Sequence, residues 1–161
     1  MILLAIGCSY KTTPIEVRER LAFKFEHLSR AHTELGAGFD CEAVILSTCN
    51  RVEIYAGCVL DDPKSPRELN AELIAEFFAD FHNLPFSGVR PHLYIHRQAE
   101  AVRHLFRVAA SLDSMIVGEG QIAGQVKLAT ASRSAYPSIV AAVAVAIAEA
   151  DAAGAWLDLT A

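Results

Sequence analysis

The chain alternates short apolar runs with longer stretches in which apolar residues recur at helical spacing. Residues 2 to 8, ILLAIGC, form a near-continuous apolar run that fits a buried strand, and the polar Ser9-Tyr10-Lys11 ends it. Thr13-Pro14-Ile15-Glu16 then combines a capping hydroxyl, a proline at the first helical position and a carboxylate three residues after the cap. Helical spacing continues, with room for breaks, through Leu21, Phe25, Leu28, Ala31 and Leu35, and Gly36 and Gly38 are expected to stop it. EAVILS, residues 42 to 47, and the alternating VEIYA, residues 52 to 56, predict two more strands flanking Thr48-Cys49-Asn50-Arg51. Beyond the turn Asp61-Asp62-Pro63-Lys64, the sequence Ser65-Pro66-Arg67-Glu68 repeats the capping pattern ahead of Leu69, Ile74, Phe77, Phe78 and Phe81, which predicts a helix ended by Asn83-Leu84-Pro85. His92 to Ile95 predicts a fourth strand and Gln98 to Leu112 an amphipathic helix.

The resulting order, β-α-β-β-α-β with an additional helix, is the ferredoxin-like arrangement, an α+β class expected to pack its helices on one face of a mostly antiparallel sheet. From Thr130 the texture becomes alanine-dominated, interrupted by Tyr136-Pro137, with an apolar helix expected around residues 138 to 153. The chain therefore divides into a domain over residues 1–129 and a divergent tail over 130–161.

At 161 residues one core is expected, large enough to stand without disulfide or metal support. A net charge of −5 excludes an overall electrostatic attraction to nucleic acid or anionic lipid, so any such contact must be local. The four cysteines, Cys8, Cys41, Cys49 and Cys58, lack CxxC spacing and a histidine pair, and no metal site is expected. The N-terminus has no basic leader, which points to a cytoplasmic, reducing setting with free thiols. The most apolar stretch, Ile139 to Ala148, is ten residues long, about half of the ~20 needed to span a bilayer.

Two residues carry candidate chemistry. A free cysteine, with a pKa of about 8.5, becomes a nucleophile where a cation or oriented dipole favours its thiolate. Cys49 has Arg51 two positions on, where an extended backbone would set the guanidinium beside the sulfur, whereas a turn would let Thr48 and Asn50 offer a hydroxyl and an amide to a polar substrate. By residue type alone a cysteine at a strand end is more often a small core residue. Cys8 and Cys58 end apolar runs without a nearby cation, and Asp40 and Glu42 flank Cys41. His104 lies opposite the stripe Val102, Leu105, Phe106 and Ala109, on a face shared with Glu100, Arg103, Arg107 and Ser111. There Glu100 could hold the imidazole, or the whole face could be a solvated, salt-linked surface. The glycines 118, 120 and 124 do not match a dinucleotide fingerprint, and read instead as a tight loop into a helix. In that loop Glu119, Gln121 and Gln125 either grip a substrate or stand exposed.

Three segments taken together are recognisable: Gly7 to Pro14 with Arg18-Glu19-Arg20, then LSTCNRVEIY over residues 46 to 55, then HLFRVA from His104 running into LDSMIVGEGQIAGQVK over residues 112 to 127. They closely resemble the N-terminal catalytic domain of glutamyl-tRNA reductase, over residues 1 to 129. The resemblance implies reduction of the glutamyl ester on tRNA to glutamate-1-semialdehyde, with NADPH as hydride donor, in tetrapyrrole biosynthesis. It assigns Cys49 as the nucleophile that forms a thioester and His104 as a proton-handling group. It places Thr48, Asn50, Arg51, Ser114, Glu119, Gly120, Gln121 and Gln125 around the substrate, with Arg51 suited to a carboxylate by its planar donor pair. The family usually has proline where this chain has Gly120, a change that loosens the loop.

The NADPH-binding and dimerisation domains of the family enzyme, a homodimer, lie outside the resemblance, so no cofactor-binding residue is expected here and the chain alone is expected to be limited to acylation or deacylation. Glutamyl-tRNA is the implied partner, and glutamate-1-semialdehyde aminomutase a second. The alternative is a non-catalytic tRNA- or partner-binding module in which Arg18, Arg20, Lys24, Arg103 and Arg107 contact phosphate.

Overall fold

The structure, a computed structural model, describes residues 2–39, 41–58, 69–113 and 115. Strand β1 (Ile2–Ser9) leads into helices α1 (Ile15–Leu21) and α2 (Phe25–Phe39), and strands β2 (Glu42–Ser47) and β3 (Arg51–Cys58) follow as a hairpin. Helix α3 (Ala71–Phe81), a short helix α4 (Phe86–Val89) and a 3-10 turn at Arg90–His92 precede strand β4 (Tyr94–Arg97) and helix α5 (Ala99–Ala109).

The four strands stand in the order β2-β3-β1-β4, and every neighbouring pair is antiparallel. Strands β1 and β2, joined through α1 and α2, thus run parallel with β3 inserted between them, the split βαβ arrangement expected from the element order. Pairing of β1 with β3 sets Ser9 opposite Arg51, Cys8 opposite Val52 and Gly7 opposite Glu53.

Both faces of the sheet are covered, which explains why β1 and β2 read as near-continuous apolar runs. Leu4, Ile6, Cys8, Ile45, Val52 and Ile54 pack against α1, α2 and α3, whereas Leu3, Ala5, Val44, Leu46 and Tyr55 pack against α5 through Ala101, Leu105, Val108 and Ala109. The expectation of helices on one face is therefore corrected: the additional helix closes the other.

Several boundaries depart from the sequence pattern for local reasons. The stretch of helical spacing from Thr13 to Leu35 forms two helices, and the break falls where the chain buries Phe23, whose N–H donates to Ser47 Oγ at 3.0 Å and whose ring packs on Phe77, Phe78 and Phe81. The Thr13 hydroxyl does not cap α1; it donates to the carbonyl of His92 at 3.1 Å. Gly36 and Gly38 do not stop α2, which continues to Phe39. A helical glycine costs only about 1 kcal/mol, less than the burial of Ala31 and Leu35 supplies.

Helix α3 starts later than the Ser65 to Glu68 pattern suggests, at Ala71, with Asn70 Oδ1 accepting from the Glu72 N–H at 2.9 Å. Ser65 to Glu68 lie outside the described residues, as do the expected helix at 138 to 153 and the whole tail from residue 130. Helix α5 is shorter than Gln98 to Leu112 because positive φ angles at Gln98 (50°) and Ser111 (55°) bracket it. Among the described residues no helix is long and apolar enough to cross a membrane.

Candidate functional site

The hairpin between β2 and β3 is tied by its own side chain. Thr48 Oγ1 accepts from the N–H groups of Asn50 and Arg51, each at 3.2 Å, and the Thr48 N–H donates to the Arg51 carbonyl at 2.8 Å. A threonine that folds back on the next residues makes a tight turn, and Cys49 stands exposed at its tip. The loop after β1 holds this tip from one side, the Tyr10 N–H donating to the Asn50 carbonyl at 2.8 Å. From α1, Arg18 donates through Nε to the Cys49 carbonyl at 3.4 Å and through Nη1 to the Thr13 carbonyl at 2.5 Å. A cleft of about 350 Å³ opens here, lined by Ile15, Arg18, Glu19 and Phe23 on one side and Thr48 and Cys49 on the other.

On the opposite face of the sheet, odd-numbered residues of β3 build a buried polar cluster under α5. Glu53 is wholly buried; its carboxylate accepts from Arg51 Nη1 at 2.9 Å, His104 Nε2 at 2.7 Å, the Tyr55 hydroxyl at 2.6 Å, and the Tyr94 hydroxyl. Arg51, 1% exposed, also donates through Nη2 to the Asp113 carbonyl and lies 3.4 Å from its Oδ2, while Lys11 pairs with the same carboxylate. His104 packs its ring on His96, with centroids 4.5 Å apart, and against Tyr94.

Burial alone would raise the Glu53 pKa, but the His104 hydrogen bond, the Arg51 charge and the Tyr55 hydroxyl outweigh it and hold the carboxyl at about 2. Burial, with the neighbouring Glu53 charge, pushes the Tyr55 and Tyr94 phenols far above their usual range, so both remain donors. Burial also pushes the Cys8 thiol up to about 11. Asp113 is lowered, its burial outweighed by Lys11 and Arg51.

Of the residues singled out from sequence, Thr48, Cys49, Asn50 and Arg51 share the hairpin tip, and the three recognisable segments meet at this end of the sheet through Tyr10–Asn50, Lys11–Asp113, Arg51–Asp113 and His104–Glu53. The described partners of Arg51 are Glu53 and Asp113. The imidazole of His104 is held by Glu53, correcting the expectation of Glu100, which is exposed. The described lining of the Cys49 cleft includes neither His104 nor any residue of α5. Ser114, Glu119, Gly120, Gln121 and Gln125 lie outside the described residues.

Sequence reasoning missed Glu53, Tyr94 and Asp113, and weighed Arg18 only as a phosphate contact. Alternation along β3 marks Arg51, Glu53 and Tyr55 as one polar face, which reads as solvent-facing until α5 is seen to cover it.

The antiparallel split-βαβ sheet, covered on both sides and carrying an exposed cysteine on its central hairpin, defines an α+β domain of ferredoxin-like class with a thiol-centred candidate site. A family profile described as "Glutamyl-tRNAGlu reductase, N-terminal domain" matches residues 6–154, and the chain belongs to that family. The match extends past residue 129, where the alanine-rich texture begins.

Curated relatives named "Glutamyl-tRNA reductase" include that of Solibacter usitatus, 49% identical over 136 residues (82% of this chain, 30% of the relative), and that of Thermodesulfovibrio yellowstonii, 47% identical over 133 residues (79% and 30%). The solved structure "Glutamyl-tRNA Reductase from Methanopyrus kandleri" superposes with a TM-score of 0.72 at 29% identity, covering 94% of this chain and 34% of that one. The chain thus spans about 30% of the length of these curated relatives.

Proposed function

We propose that this domain performs the acyl-transfer half of glutamyl-tRNA reduction, with Cys49 as nucleophile. Its sulfur attacks the carbonyl carbon of the glutamyl ester, a C–S bond forms, the C–O bond to the terminal ribose breaks, and a proton is delivered to the departing oxygen. The observation that carries this reading is the position of Cys49, exposed at a tied hairpin tip and lining a cleft, whereas Cys8 and Cys41 are buried.

His104 is the proposed proton-handling group. Because its Nε2–H donates to an ionised Glu53, the neutral ring keeps its lone pair on Nδ1, which has no hydrogen-bond partner among the described residues. To balance the step, Nδ1 is proposed to take the proton that leaves the Cys49 thiol and to give it to the departing oxygen, so the ring ends neutral as it began. Thr48 and Asn50 shape the acceptor loop, Arg51 anchors that loop to the buried cluster, and Ser114, Glu119, Gly120, Gln121 and Gln125 are proposed contacts to the donor.

NADPH would supply the hydride in the family enzyme. The described sheet is antiparallel throughout and has no strand, glycine loop and helix crossover of the kind that seats a dinucleotide, so no hydride step is derived for these residues. Without a hydride, water is the acceptor, and the chain is proposed to deacylate glutamyl-tRNA slowly and without response to NADPH. Incubation with radiolabelled glutamyl-tRNA should leave a thiol-sensitive label on the wild-type chain and none on Cys49→Ser; equal labelling of both would reject the reading.

A further inference from the structure

The hairpin that carries Cys49 at its tip has two more cysteines at its open end. Strands β2 and β3 pair from Ser47 opposite Val52 down to Glu42 opposite Gly57. One step further along the same register sets Cys41, the residue before β2, opposite Cys58, the last residue of β3. The turn decides what kind of pair this is. The Thr48 N–H donates to the Arg51 carbonyl, and hydrogen-bonded pairs alternate with non-hydrogen-bonded ones along an antiparallel ladder. Cys41 and Cys58, an odd number of steps from that pair, fall at a non-hydrogen-bonded position, where Cα atoms stand about 4.5 Å apart and side chains come closest. A disulfide spans roughly 4.4–6.8 Å between Cα atoms, so the backbone need not move to close one here.

The side chains also share a face. Cys41 belongs to the apolar cluster under α1, α2 and α3, and Cys58 packs against that same cluster. Both are in the thiol form, Cys41 buried and Cys58 partly exposed. The other two cysteines lie at the far end of the hairpin: β3 runs eight residues from Arg51 to Cys58, about 23 Å, and Cys8 stands opposite Val52. Cys41 is therefore the thiol within reach of Cys58.

We infer that Cys41 and Cys58 are a redox couple, a cross-strand dithiol that closes to a disulfide by exchange with a small-molecule disulfide and pins the open end of the Cys49 hairpin. Cys58 reacts first, because it is the exposed member and because the carboxylates of Asp40 and Glu42 beside Cys41 disfavour a thiolate there. The Cys58 thiolate attacks one sulfur of the small disulfide, whose S–S bond breaks, and one small thiolate leaves. The Cys41 thiol loses its proton and attacks the Cys58 sulfur, the mixed S–S bond breaks, and the second small thiolate leaves. Two protein thiols are oxidised, one small disulfide is reduced to two thiols, and the protons of the cysteines pass to the departing thiolates. The couple does not depend on what Cys49 does, so its fate is separate from that of the acyl-transfer reading.

The test treats the folded Cys49→Ser chain, which lacks the reactive tip, with oxidised glutathione, then quenches in acid, alkylates and digests with trypsin. Cleavage after Arg51 puts Cys41 and Cys58 on different peptides, so a disulfide between them appears in mass spectra as a linked pair that dithiothreitol separates. The linked pair should exceed the Cys58–glutathione adduct by at least about 10-fold, because the second exchange is intramolecular. Adding Cys41→Ser should abolish the pair and let the adduct accumulate on Cys58. Glutathione retained on Cys58 beside a reduced Cys41, no reaction at either thiol, or a linked pair that forms only in urea would each overturn the inference.

Discussion

Glu53 of β3 and His104 of α5 meet under the sheet, the Nε2–H of the ring donating to Glu53 Oε1 at 2.7 Å. The same oxygen lies 2.9 Å from Arg51 Nη1, so one buried carboxylate links the proposed proton carrier to the base of the Cys49 hairpin. Removing one partner of such a cluster leaves a buried charge uncompensated. Glu53→Ala should lower the free energy of unfolding by about 3–5 kcal/mol, measured as a reduced urea midpoint at unchanged slope. A loss below about 1 kcal/mol, the range of exposed ion pairs, would contradict the burial of this cluster.

Acid should destabilise the domain in two stages. The His82 ring packs against Phe23 and Phe81, and burial, reinforced by His27 and Arg30, lowers its pKa from 6.5 to about 4. A depressed histidine contributes stability above pH 6.5 that is lost as pH falls through about 4, since protonation then favours the unfolded chain. Glu53, lowered from 4.5 to about 2, contributes stability above pH 4.5 that disappears as pH falls toward 2, on the order of 3 kcal/mol in all. Thermal melts from pH 8 to 3 should show a first decline between pH 6.5 and 4 that His82→Phe flattens, leaving the decline below pH 4.5 in place. An identical first decline in His82→Phe would rule out His82 as its source.

Gly7 lies opposite Glu53 in the β1–β3 pair, and a Cβ placed there would stand 2.3 Å from the Val52 carbonyl oxygen and 2.8 Å from Glu53 Cγ. Backbone cannot yield at that distance without opening the pair. Gly7→Ala should therefore destabilise by about 1–3 kcal/mol or more, and because the nearest atom is the Val52 carbonyl oxygen and Glu53 Cα is as close as Cγ, most of that cost should persist in the Glu53→Ala background. A cost that vanishes in that background would show that the Glu53 side chain, not the backbone, is what the added methyl meets.

Much of this architecture is legible in local pattern. The ILLAIGC and EAVILS runs mark strands covered on both faces, and Thr48 ahead of Cys49 and Asn50 marks the turn that presents the thiol. What local pattern cannot carry is cover from distant sequence. Arg51, Glu53 and Tyr55 alternate as a solvated face would, and only α5, some fifty residues on, makes that face an interior. Glu100 sits at ideal helical spacing from His104, yet a buried acceptor across the sheet outcompetes an exposed one. The break between α1 and α2 is equally non-local, set by the pocket that Phe77, Phe78 and Phe81 of α3 build for Phe23. Arg18 reads in the sequence only as one of several basic residues, because an arginine in a helix rich in Glu and Arg resembles any surface charge until its burial is known.

The central claim is that the hairpin thiol takes the acyl group from its carrier. Tandem mass spectrometry of the chain, quenched in acid after mixing with glutamyl-tRNA and digested at low pH, reads the acylated residue directly. The account predicts a glutamyl group on the peptide bearing Cys49, with Cys8, Cys41 and Cys58 unmodified. Consumption of the ester with Cys49 unmodified throughout the time course would contradict it.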